Sequence, residues 1–376
     1  MSGVRGLFWN GAEARLRAPW RVGATLSLVL LAAVVVAPVA RLLTGLDAPG
    51  SGWDLVVLAG AFLGLSVAVV GLAWVIDRRY TRDLGVALGS RWYRDCAAGL
   101  AVGGAMATAV VVVLLATGTA SVAGTLTGRQ AQLTVTGVGP FASAGLWALF
   151  YAGAATLEEV AVRGYLLVNA AEGLSGRLGR RRGVFGAVAV TAGLFGILHA
   201  SNPGGTALGL LNITLAGLLL GGTYALTGRL ALAVGIHAAW NFAVGAVYGL
   251  PVSGLETSSA LFAVEPDGPR VLTGGAFGPE GGVVMLAALA VGAGLVVLWV
   301  RRSEGAVFLQ THIAEPDLRE RPAVQRADDG TDGDAPDEDG PDGSTSDTST
   351  DGSDGTGPAG GPEPVESEPV ESEPEG

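Results

Sequence analysis

Residues 141–166 read FASAGLWALFYAGAATLEEVAVRGYL. From Phe141 to Leu157 there is no charged side chain, which suits a helix buried in protein or lipid. The run then meets Glu158, Glu159 and, four residues on, Arg163. Neighbours on a helix point about 100° apart, so the two glutamates face different ways. Glu159 and Arg163 share a face in the favourable order, acid before base. The spacing therefore gives Arg163 to Glu159 and leaves Glu158 free. Two carboxylates this close in a medium of low dielectric cannot both carry charge cheaply, a setting suited to a general base. The bland reading is a helix end at a membrane interface, where charge is ordinary.

Further apolar runs lie on either side, at roughly 22–40, 55–76, 96–117, 184–199, 206–227, 230–249 and 281–300. With 141–157 they make eight, at about 20 residues per membrane span. Hydrophobic residues are 49% of the chain, charged residues 15%, and mean hydropathy is +0.47. The expectation is an all-α polytopic bundle of about eight transmembrane helices, residues 22–302, behind an interfacial lead-in at 1–21. The run at 22–40 is long for a signal peptide, and no clear small-residue cleavage site precedes more soluble sequence. Residues 165–180 read as an amphipathic extension lying on the membrane surface.

The net charge of −11 averages two different regions. Residues 327–376 hold 17 of the 34 acidic residues and none of the 23 basic ones, all arginine, so the rest of the chain is mildly basic. Residues 303–376 lose apolar periodicity and read as a disordered, acidic tail. Arginines cluster at 78–94, 177–182, 229 and 301–302. Between the other pairs of spans lie only Arg41, Arg129 and Arg270. By the positive-inside rule this places both termini in the cytoplasm of a multi-pass protein of the cell membrane.

Two more polar pairs interrupt the apolar runs, Phe195-x-x-x-His199 and His237-x-x-x-Asn241. Ionisable groups at membrane depth are costly and usually face a bundle interior or a wet cavity. Each pair alone also reads as a satisfied core residue or as polar glue between helices. The only other histidine, His312, lies beyond the last apolar run. Cys96 is the sole cysteine, which rules out a disulfide framework or thiolate cage. No H-E-x-x-H helix and no Walker-type loop occurs, and no basic-aromatic surface suggests nucleic acid. Gly173-Leu174-Ser175-Gly176 has the G-x-S-G form of a rhomboid nucleophile, but its arginine-rich surroundings make it a turn.

Taken together, Glu158-Glu159-x-x-x-Arg163, Phe195-x-x-x-His199 and His237-x-x-x-Asn241, in this order, resemble the CPBP family of CAAX proteases and bacteriocin-processing enzymes, also called Abi. The similarity covers about residues 90–250. It implies an intramembrane endopeptidase of about eight helices with a cavity facing the cytoplasm. The substrate would be a membrane-associated protein or peptide, with or without a lipid anchor. Carried over by position, Glu158, His199, His237 and Asn241 would be catalytic, supported by Glu159, Arg163 and Phe195.

Two mechanisms are open on these residues. In one, Glu158 and His199 activate a water while His237 and Asn241 stabilise the oxyanion. In the other, Glu158, His199 and His237 bind Zn²⁺ with Glu159 as base. The alternative function is a non-enzymatic transporter, or a scaffold that binds peptides or lipid tails. One expectation does not fit the rest. His199 falls more than about 20 Å from the start of its run, far from the level of Glu158 and His237, by the helical rise. A helix that starts outside the membrane, a strong tilt, or an inward-dipping turn at 200–205 would each reconcile them.

Overall fold

The computed structural model describes residues 5–11, 13–44, 52–128, 135 and 137–319. The acidic segment 327–376, read from sequence as a disordered tail, lies outside the described residues. Each of the eight apolar runs forms a helix. In chain order these are α1 (Ala18–Thr44), α2 (Gly52–Val75), α3 (Ser90–Ala116), α4 (Pro140–Leu178), α5 (Arg180–Leu198), α6 (Ala207–Thr227), α7 (Ala231–Val247) and α8 (Val284–Glu304). Among the described residues six of them, α2 to α6 and α8, are long and apolar enough to cross a membrane, while α7 is shorter. The eight expected spans are thus eight helices, of which six meet that requirement. The protein is a multi-pass, mostly helical membrane protein.

The arginine clusters gather at one end of the bundle. There Arg229 bridges Asp95 at the start of α3 and Glu304 at the end of α8, at 2.6 and 2.5 Å. At the other end lies an antiparallel strand pair, β1 (Ala120–Gly128) with β2 (Ser259–Pro266). The segment from Tyr248 to Val283 fills the remaining space at that end. Ser143 near the start of α4 hydrogen-bonds Ser259 of β2 at 2.5 Å, which ties the sheet to the bundle.

Helix α4 departs most from expectation. It does not stop at the glutamates but continues for 39 residues, roughly 58 Å, about twice the thickness of a bilayer core. Its second half is not a surface helix. Residues from Val160 to Asn169 are all buried, and the end of the helix packs on α1 and α5. Helix α5 turns back after a single residue, Gly179, whose φ of +77° favours glycine. It then runs antiparallel to α4, with Gly183 against Ser175 and Gly186 against Leu174.

This pairing removes the depth mismatch. Helix α2 ends at Val75, and just past it Asp77 meets Asn169 of α4 at 3.2 Å. Helix α5 starts at Arg180, eleven residues farther along the chain, so its first turns lie beyond the level at which α2 ends. Leu198 consequently reaches only to the level of Glu159. The turn 199–206 sits over the bundle interior and is held there by Asn202, whose amide donates to Ser253 O at 3.1 Å.

Both chain ends are also part of the packed unit. Residues 305–319, assigned from sequence to the tail, fold back along α4 and α5, burying Ile313 and Ala314. Arg82–Asp317 and Arg180–Glu315 pairs, at 2.5 and 2.6 Å, hold that segment. Residues 13–21 contribute Arg15 and Arg21, which converge with Arg79 on the Glu172 carboxylate of α4. The interfacial lead-in is in this part a buried ionic anchor. Its sequence carries the charge but not the partner, which lies about 150 residues away.

Candidate active site

The polar pairs meet at mid-bundle because three helices place them at one level. Helix α4 brings Glu158 and Glu159, α5 ends at Phe195 and His199, and α7 carries His237 and Asn241. Helix α7 is set against α3 through a close crossing of glycines. A Cβ on Gly99 would lie 2.9 Å from Gly235 Cα, and one on Gly103 would lie 2.9 Å from Trp240 N. Small residues four apart let helix backbones approach in this way.

Glu159 is wholly buried, whereas the Glu158 side chain is 39% exposed to a central cavity. Arg163 donates to Glu159 Oε1 at 2.7 Å and lies 4.4 Å over the Phe195 ring. The same Glu159 oxygen accepts from His237 Nδ1 at 2.9 Å. His237 Nε2 is then directed at Glu158, 3.7 Å from its Oε2. His199 Nδ1 meets the Phe195 carbonyl at 2.7 Å. A carbonyl can only accept, so that nitrogen carries the hydrogen and, in the neutral ring, Nε2 holds the lone pair. Phe195 lies between the imidazoles, 4.6 Å from the His199 ring and 5.9 Å from that of His237.

Glu158, His199, His237 and Asn241 all line one cavity of about 360 Å³, whose remaining wall is largely apolar. The structure thus brings together every residue selected from sequence: Glu158, His199, His237, Asn241 and the Phe195 ring line the cavity, and Glu159 and Arg163 lie behind it. In both α4 and α7 the helix changes to π geometry next to these residues, at Val160–Leu167 and Ala243–Val247. Such widened turns occur often at functional sites.

Residues 140–243 match the family model described as type II CAAX prenyl endopeptidase Rce1-like. Over this stretch, 104 of the 376 residues, the chain is similar to the CAAX protease family. The family is one of intramembrane endopeptidases, and the match spans all three polar pairs. No curated protein and no solved structure matches the chain.

Zn²⁺ would need Glu158, His199 and His237 to converge as one donor set. Among the described residues no three His, Cys, Asp or Glu side chains are grouped so as to hold a metal ion. Glu158, His199 and His237 therefore do not form a ligand set here, and no chemical step is assigned to a metal.

Sequence reasoning missed the wall of the cavity on the side away from the arginines. Glu280, in a short 3₁₀ turn, is buried there; its Oε1 accepts from Trp240 Nε1 at 2.9 Å. Its Oε2 accepts from the Ser253 hydroxyl at 2.7 Å and from the Ser253 amide. Asn212 of α6 donates to Glu280 O and Gly282 O at 2.8 and 2.9 Å. Glu280 thus fixes the 251–255 segment to α7 beside Asn241. A single acid among glycines carries no periodic signal, so only Trp240, one residue before the H-x-x-x-N asparagine, hinted at a partner.

Proposed function

We propose that the protein hydrolyses a peptide bond of a membrane-associated substrate by a water that Glu158 activates. The observation that carries this reading is the convergence of Glu158, His199, His237 and Asn241 on one largely apolar cavity. Glu158, the exposed member of the glutamate pair, takes a proton from water, with His199 Nε2 as a second acceptor. The water oxygen bonds to the scissile carbonyl carbon. His237 Nε2–H and the Asn241 amide donate to the oxygen that becomes anionic, an arrangement worth a few kcal/mol per donor in a dry site. In that role His237 carries hydrogen on both nitrogens, facing one carboxylate through each. The C–N bond then breaks, and Glu158 returns its proton to the departing amine. Glu159 and Arg163 orient His237 without touching substrate.

The test is cleavage of prenylated and unprenylated membrane peptides by purified protein in detergent. Glu158→Gln keeps shape but cannot accept the proton, and should lower kcat by about 10²–10⁴-fold, the scale of general-base catalysis. Wild-type rates in that variant would refute the proposal.

A further inference from the structure

The position of the cavity relative to the arginines bears on which side of the membrane supplies the substrate. All the loop residues that line it come from the end opposite the arginine clusters: Asn202, Pro203, Val252, Ser253, Leu255 and Glu280. No residue of the arginine-rich connections at 76–89, 179 or 228–230 lines it. On that side a packed layer closes the site from below. Tyr165, Leu167, Tyr224, Leu230 and Leu84 are each at most 1% exposed and belong to one hydrophobic cluster. Gly164 carries the seal farther, since a Cβ there would stand 3.1 Å from both Leu230 and Leu84. In contrast, residues 203–206 are exposed, and His199 and Asn202 are partly so.

The charge distribution orients this asymmetric molecule. Arginines of the 78–94, 177–182, 229 and 301–302 clusters lie at one end, whereas among described loop residues the other end has Arg270. Excess arginine in short connections marks the cytoplasmic side. A cytoplasm-facing cavity and a cytoplasmic arginine end are thus incompatible in this chain. We infer that the site opens on the non-cytoplasmic side, and that its substrate is a membrane-anchored peptide segment presented there, not a cytoplasmic C-terminal tail. This rests on the hydrolytic reading for the word substrate, but the side of access stands on geometry and charge alone.

The experiment is thiol labelling in intact cells, in a Cys96→Ser background that removes the only native cysteine. Val271→Cys reports the sheet end, Phe308→Cys the arginine end and Pro203→Cys the cavity mouth; all three positions are exposed. Ser201→Cys, also exposed, replaces the mouth reporter should loss of Pro203 impair folding. A membrane-impermeant maleimide is expected to label positions 271 and 203 in intact cells, and position 308 only after permeabilisation. Labelling of 308 in intact cells with 271 protected would overturn the orientation. Labelling of 271 with both mouth positions protected would overturn access from that side. Loss of the hydrolytic reading would show separately, as unchanged cleavage by Glu158→Gln in detergent, where sidedness has no effect.

Discussion

The Arg163 guanidinium sits fully buried between the Glu159 carboxylate and the face of Phe195. Replacing it by methionine keeps volume but strands a buried carboxylate. Breaking one side of a buried ion pair costs about 3–5 kcal/mol. Arg163→Met should therefore lower the unfolding midpoint in detergent far more than a surface Arg→Met change. Glu280 makes a different kind of demand, since both its oxygens only accept. Glu280→Gln turns an NH₂ toward a donor, and such mismatches cost about 1–3 kcal/mol. Faster hydrogen exchange confined to residues 251–255 is the expected readout. The two residues also show what spacing can reveal. Glu159 and Arg163 were legible because four residues bring them onto one helical face. Glu280 was not, because its partners Trp240 and Ser253 are 40 and 27 residues away, across irregular backbone.

Among the elements, the α3–α7 crossing controls how far His237 and Asn241 reach into the cavity. Gly99-x-x-x-Gly103 leaves no room for a Cβ against the α7 backbone. Gly99→Ala should force the helices apart, and overpacking of this kind costs about 1–3 kcal/mol. The variant should lose thermal stability and cleavage rate together, whereas Gly104→Ala, with open space around it, should lose neither. All eight helices were legible as apolar runs, since composition alone reports burial. Their ends were not. The charged pair at 158–159 reads as a terminus only until Arg163 is known to neutralise Glu159 inside the helix. The short helix α7 looked like a full span because apolar residues continue into its π turn and beyond.

For the molecule as a whole, the ionic anchor around Glu172 joins residues 13–21 to the connection after α2. Asp77 and Asp83 lie in that connection; burial, the larger influence, raises both above the usual value of 3.8 despite Arg21 and Arg79. As pH falls, the folded state takes up these protons before the unfolded one does. Their contribution to stability therefore worsens as pH rises from 3.8 through the raised folded values. Melting curves should show wild type losing ground to Asp77→Asn across that window. Residues 1–320 form a compact unit of their own. Truncation after Glu320 should leave kcat and the unfolding midpoint unchanged. Sequence set the tail's start at 303 by loss of apolar periodicity, ahead of the packed residues Ile313 and Ala314, because their apolar contacts are too few to form a pattern.

The π stretch after Glu159 has one more consequence. A π turn holds a spare residue inside a helix, as a slack link does in a chain. Losing one residue there would only draw that link tight, whereas a residue inserted after Val162 finds no second link, and everything beyond it would swing by about 100°. Glu172 would then turn away from its three arginines, and Arg163 would stand five positions from Glu159, off the face they share. Single insertions in 160–167 should accordingly be far more damaging than single deletions or substitutions at the same positions.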